Sequence, residues 1–241
     1  MKVLSRQEFA VKLRSELESR LTLDHPIITR LQNEPGTELI QLMVKQGYQL
    51  TKMFARYVGA LYLNCPVKPE LGIDRKKLAI NLYEEETGAI SKTDGHLQLM
   101  RRFAKAVGIS KEELESAFSL PETRELIEYR WNLVINPETF HQGAAAIMIA
   151  SEGQNLEKKA DKMRHELFPA HLELTERDMA FFTVHAAEDV YHVKDGISLV
   201  SKICKTEQQQ QEAIKAIHNT CDRFWAFYDS IDRVYSSPVA S

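Results

Sequence analysis

The sequence predicts an all-α protein, and three observations carry that prediction. Glycine and proline are scarce, with 10 and 8 copies in 241 residues, and they fall mostly between segments of helical periodicity. Apolar residues recur at i, i+3 and i+4 along most of the chain. No alternation of period two, bounded by turn pairs such as Asn-Gly, marks a strand or hairpin. Long helices joined by short connections predict a helical bundle, and the length favours about seven main helices. No repeat, low-complexity tract or linker interrupts the pattern, so residues 1–241 are expected to form one domain.

The elements follow in order. Ser5 with Glu8 three residues on reads as a capping box, opening a helix to about Leu21 with Phe9, Leu13 and Leu17 on one face. Asp24-His25-Pro26 starts a short helix through Leu31. A long helix from about Thr37 to Leu63 carries a broad apolar face that includes Leu39, Met43, Tyr48, Phe54 and Tyr57, and Pro66 and Pro69 end it. Another runs from about Asp74 to Glu86 and stops at Gly88. The next spans Thr93-Asp94 to Val107, Lys111–Phe118 is short, and Pro121–Val134 follows. Pro137 opens a long helix expected to reach Leu167. Thr175–Ile203 and Glu207–Tyr235 close the chain, with Gln208–Gln211 expected in an exposed first turn.

Composition narrows the function classes. Net charge is -3 and charged residues make up 27%, so there is no basic footprint for nucleic acid or an anionic membrane. No apolar run approaches the ~20 residues of a membrane span, and the N-terminus shows no secretory h-region. Cys65, Cys204 and Cys221 are far apart and form no CxxC pair. They read as reduced thiols of a cytoplasmic protein.

The chemistry gathers on Phe181–His192. His185, Asp189 and His192 stand at offsets 0, +4 and +7, within a sector of about 60° at 100° per residue. Two imidazoles and a carboxylate framed by Phe181, Val184 and alanines suit a divalent metal; the ordinary alternative is a solvated stripe or a core histidine with a hydrogen-bond partner. Glu152 continues the stripe Ala145, Met148, Ile149 after the apolar run 143–150, where a carboxylate is expensive to bury unless paired or metal-bound. In Asn81–Gly88, Leu78 and Leu82 mark the buried face. Glu86 continues it at i+4, Glu85 is the neighbouring option, and Glu84 is expected in solvent. His96 opens the next helix. Glu86, His96, Glu152, His185, Asp189 and His192 together are three carboxylates and three imidazoles. That donor mixture suits iron or manganese, with no thiolate to favour structural zinc.

In this order the residues resemble the iron-binding heme-oxygenase-like oxidases, including the CADD-like proteins (Chlamydia protein associating with death domains). The likeness rests on Asn81-Leu82 in an acidic helix end, His96 opening the next helix, the lone Glu152, then His185-x3-Asp189-x2-His192. Phe224-Trp225-Ala226-Phe227 resembles the aromatic close of these bundles. The resemblance spans about His25 to Tyr235. It implies a heme-oxygenase-like bundle, two irons with manganese as the alternative, and dioxygen with a small-molecule substrate. A homodimer is one expectation for its assembly. The implied reactions are N-oxygenation, desaturation, C–C cleavage, or para-aminobenzoate formation from the protein's own tyrosine. The loop Ala89–Asp94 is longer than in some relatives and leaves Glu85 against Glu86 open. Glu188 competes with Asp189, which the family pattern favours.

Two other readings stay beside this one. A metal-free enzyme similar to the TenA or pyrroloquinoline-quinone synthase C proteins would need, in its thiaminase form, a nucleophilic cysteine in the pocket. A non-catalytic interaction protein would present a large exposed apolar patch. Tyr48, Tyr57, Tyr62, Tyr83 and Tyr191 sit on helices that can reach the bundle centre, but core packing is the simpler role for each. His25 reads as a helix-start residue and His141 as a candidate cavity wall; His165, His171 and His218 carry no functional expectation.

Overall fold

Most of the predicted helices form for local reasons visible in the sequence, and the bundle is assembled so that polar faces meet at one place. The computed structural model describes residues 2–33, 36–154, 158–159, 162–163 and 172–237. Among them are ten α-helices, all but one of them matching a predicted segment closely. α1 (Arg6–Glu18) starts at the Ser5/Glu8 capping box and buries Phe9, Leu13 and Leu17. α2 (Pro26–Asn33) is opened by His25, whose Nδ1 accepts the Ile27 N–H at 3.1 Å. α3 (Glu38–Asn64) is the long central helix. α4 (Gly72–Thr87), α5 (His96–Ala106), α6 (Lys111–Ser116) and α7 (Pro121–Ile135) follow. α8 (Phe140–Ala144) runs directly into a π-helical stretch, Ala145–Ser151. α9 (Ala180–Ile203) and α10 (Glu207–Ser236) complete the bundle, α10 from a Thr206/Gln209 capping box.

Two expectations change. The helix predicted from Pro137 to Leu167 ends at a turn at Gln154. Lys158–Lys159 and Lys162–Met163 form a two-residue antiparallel pair, and the rest of that prediction lies outside the described residues, as do His165 and His171. The polar run Gln208–Gln211 is not wholly exposed. Gln210 is buried and its amide exchanges two hydrogen bonds with the backbone of Leu4, tying the chain's start to α10.

The core has two apolar clusters. One joins α1, α3, α7, the π stretch, α9 and α10. The other joins α2, α3, α5 and α10. Close approach of α9 to the π stretch depends on Gly196, where a Cβ would stand 2.6 Å from Met148 Cβ and 2.8 Å from Met148 O. α4 is held to α9 by two ion pairs, Lys77 with Asp195 and Asp74 with Lys202. α4, α5, the π stretch and α9 thus converge with their polar residues facing inward.

Candidate metal centre

α9 brings His185, Asp189 and His192 inward together, and all three are buried. His185 Nδ1 donates to the Phe181 carbonyl at 2.5 Å, a contact that fixes the ring and leaves Nε2 free to act as a ligand. The His185 ring lies 4.3 Å from that of Phe181 and 4.5 Å from that of His96. Glu188 is only half-buried and joins no cluster, in line with the preference for Asp189.

The α4–α5 connection decides which glutamate joins them. Glu84 does not face solvent. Its carboxylate accepts the backbone N–H of Ile90 at 2.7 Å and of Ser91 at 3.2 Å, together with the Ser91 hydroxyl. Those bonds fold residues 88–95 back over the helix end. Gly88 ends α4 at φ +62°, which glycine adopts without strain. Gly95 passes so near that a Cβ would lie 2.3 Å from the Glu86 carbonyl oxygen. With Glu84 under the loop, Glu85 points to the bundle centre and Glu86 is exposed. Glu86, the expected inward residue, therefore faces outward, and Glu85 takes the inward position. His96 is buried, and its Nδ1 lies 3.0 Å from Glu85 Oε1.

Glu152 sits directly after the π stretch, 1% exposed. Its Oε1 is 3.2 Å from His192 Nδ1 and accepts from Asn81 Nδ2 at 3.2 Å. Asp189 Oδ1 lies 3.5 Å from the same His192 nitrogen. The six residues fall into two groups, Glu85–His96–His185 and Glu152–Asp189–His192. In each, three potential donor atoms lie within 4.8 Å of one another.

Several of these atoms approach without bonding. Glu85 Oε1, both ring nitrogens of His96 and His192 Nδ1 are buried with no hydrogen-bond partner. Unsatisfied buried polar atoms are rare and costly, and here they converge on two small volumes. An oxygen- and nitrogen-rich set of this kind fits iron. The electrostatics agree. Burial works against a charge on His192, but Glu152 and Asp189 outweigh it and push its pKa up to about 11. Burial also opposes charge on His96, which Glu85, Glu84 and Glu152 nevertheless raise. His185 is lowered, first by burial and then by the neighbouring His96. The carboxylates thus favour positive charge at both positions, which a divalent cation would supply in place of protons.

Glu85, Glu152 and His185 also line a cavity of about 180 Å³ whose other walls are mostly apolar, including Met100, Phe103 and Phe181. Tyr228 is the cavity-lining tyrosine among the described residues. Tyr48 and Tyr57 are buried but bond elsewhere, to Glu115 and the Ile127 carbonyl, and Tyr62, Tyr83 and Tyr191 are exposed. His141 faces an outer groove and pairs with Glu212 at 2.8 Å. None of the three cysteines lines the cavity. All are buried, and burial raises the thiol pKa of Cys65 and pushes that of Cys204 to about 12. No cysteine is thus placed in the cavity wall as a thiaminase-type nucleophile would be. Sequence reasoning also missed Arg130, fully buried in the cavity wall; its only signal is a charge at a core position of α7.

The iron-containing redox enzymes match this chain over residues 41–225. The chain belongs to that family. It is an oxidoreductase with the heme-oxygenase-like, CADD-like fold. It is similar to the 4-aminobenzoate synthase of Nitrosomonas europaea, 28% identical over 94% of this chain and 92% of that one. The 4-aminobenzoate synthase of Chlamydia muridarum is 24% identical over 92% and 89%. Among solved structures, a TenA homolog from Pseudomonas syringae superposes with a TM-score of 0.76 at 16% identity, covering 93% of each chain. A CADD-like protein from Nostoc punctiforme gives 0.70 at 13% identity over 98% and 99%. Among the described residues, no helix is long and apolar enough to cross a membrane.

Proposed function

We propose that the chain is a di-iron oxidase. Glu85, His96 and His185 would hold one iron, and Glu152, Asp189 and His192 the other. The observation that carries this reading is the pair of three-residue groups, buried side by side, in which Glu85 Oε1, both His96 ring nitrogens and His192 Nδ1 lack hydrogen-bond partners. Iron held there supplies the activation of dioxygen.

The chain's own residues do the rest. His185 is oriented by its bond to Phe181, and Glu152 by Asn81. Glu85 and Glu152 stand on separate elements and line the cavity, so they would hold the metals at its wall, beside a bound substrate. The aromatic walls exclude water from the substrate. The relatives named 4-aminobenzoate synthase support that product as the outcome to test first. Tyr228 is the residue to follow if a tyrosine of the chain is consumed.

The test is reconstitution with Fe(II) under anaerobic conditions, metal analysis, and then exposure to oxygen. Close to two irons per chain, oxygen uptake, and loss of iron in Glu85→Ala and Glu152→Ala are expected. Far less than one iron per chain would end the proposal. Mass spectrometry after turnover separates modification of Tyr228 from reaction of an added substrate.

A further inference from the structure

Among the described residues Arg130 is the one lysine or arginine in the cavity wall, and the metal positions do not account for it. Its side chain is 1% exposed. Nε donates to the Leu126 carbonyl at 3.2 Å and Nη1 to Ser151 Oγ at 3.3 Å, while Nη2 is buried without a partner. The guanidinium lies between the rings of Tyr57, at 4.9 Å, and Phe224, at 5.3 Å. Among the described residues no carboxylate stands within ion-pair distance of it. Two aromatic faces orient an arginine but do not neutralise it, and a buried charge without a counter-charge is expensive. Arginine nonetheless stays protonated in proteins.

Both Arg130 and Ser151 line the cavity. Ser151 precedes Glu152, so the cation and the metal positions lie along one wall. Between and around them are Phe103, Phe181, Phe182 and Phe227. A cavity of about 180 Å³ is ring-sized: an engineered void of ~150 Å³ takes up benzene.

We propose that Arg130, with Ser151, is the anchor for a carboxylate, and that the cavity takes a small monocarboxylate with a single-ring apolar body. The carboxylate meets the free Nη2 edge of the guanidinium, whose planar fork suits it. The ring lies against the phenylalanines and is held toward Glu85, Glu152 and His185. The assignment rests on the oxidase reading only for its functional meaning; binding itself does not require iron.

The experiment uses the full chain, first without added metal and then loaded with ferrous iron anaerobically. Benzoate and its neutral isostere benzamide are the probes, followed by calorimetry and thermal shift. Benzoate should bind at least about tenfold more tightly than benzamide. Arg130→Gln should lose at least that factor for benzoate, Arg130→Lys should recover part of it, and His185→Ala should keep it in the metal-free chain. Equal binding of the two probes, no binding of benzoate, or retention by Arg130→Gln would overturn the proposal. If Arg130→Gln does not fold, the benzoate–benzamide comparison on the wild type decides alone. A chain that binds benzoate through Arg130 but no iron would refute the oxidase reading and leave this anchor standing.

Discussion

Asn81 donates a side-chain N–H to Glu152 Oε1 across 3.2 Å, joining α4 to the residue that follows the π stretch. Glu152 is thereby aimed before any cation arrives. Replacing Asn81 by Leu removes the donor and leaves the apolar packing of α4 in place. Iron affinity should fall about 10–100-fold, the usual cost of losing a residue that orients a ligand. A chelator competition measures it, with circular dichroism to confirm the fold; unchanged affinity would make Asn81 a packing residue.

Adjacent glutamates at the end of α4 should behave differently. Glu85 is buried beside His96, and Glu86 is exposed. Glu85→Gln should lose about half of the bound iron. Glu86→Gln should keep it all and shift the melting temperature by no more than a surface substitution does, within about 0.5 kcal/mol. Metal analysis of the two variants side by side distinguishes them, and the opposite pattern would restore Glu86 to the site.

Glu84 sets a pH dependence. Burial opposes its charge, but the bonds from Ser91 and the Ile90 amide outweigh that and hold its pKa below the ordinary 4.5. A carboxylate depressed in the folded state stabilises above its unfolded pKa, and that contribution is lost as pH falls through the folded value. Glu84→Gln should be less stable than wild type by roughly 2 kcal/mol at neutral pH, the scale of hydrogen bonds to a charged group. The gap should narrow below about pH 4.5. Urea titrations from pH 7 to pH 3 read it out, and a constant gap would place the contribution elsewhere.

Gly196 tests the seam between α9 and the π stretch. Alanine is normally the better helix former by about 1 kcal/mol. Here its methyl would meet Met148 backbone at 2.8 Å, so the contact should win. Gly196→Ala should destabilise by roughly 1–3 kcal/mol, a fall of about 3–10 °C in Tm for a chain of this size. Calorimetry decides, and a rise in Tm would mean the seam can open without cost.

Much of the site was legible because α9 obeys simple geometry. Offsets of four and seven put His185, Asp189 and His192 on one face wherever the helix packs. Glu152 was legible because the apolar run 143–150 leads up to it and makes a carboxylate there conspicuous. The end of α4 was not. Its buried face runs Asp74, Leu78, Asn81, Glu84 and Glu85, mostly polar, so extrapolating from Leu78 and Leu82 lands on the exposed side. Glu84 is covered by a loop whose path depends on Gly88 and Gly95, and no periodicity describes that. Arg130 escaped because it is one of five charged residues in α7, where a charge reads as surface. Its burial depends on Tyr57 and Phe224, two distant residues that meet only in the fold.

The π stretch before Glu152 closes each turn with one residue more than an α-helix needs. Such a stretch behaves as an insertion absorbed without a loop. Removing one residue between Ala145 and Ser151 would let the helix tighten to ordinary pitch; six residues at about 100° each turn through nearly the same angle as seven in the wider geometry, so Glu152 would keep its face toward Asp189 and His192. A relative one residue shorter in this stretch could therefore keep the fold, the α9 histidines and the direction of Glu152, the difference surviving only as a gap before the glutamate.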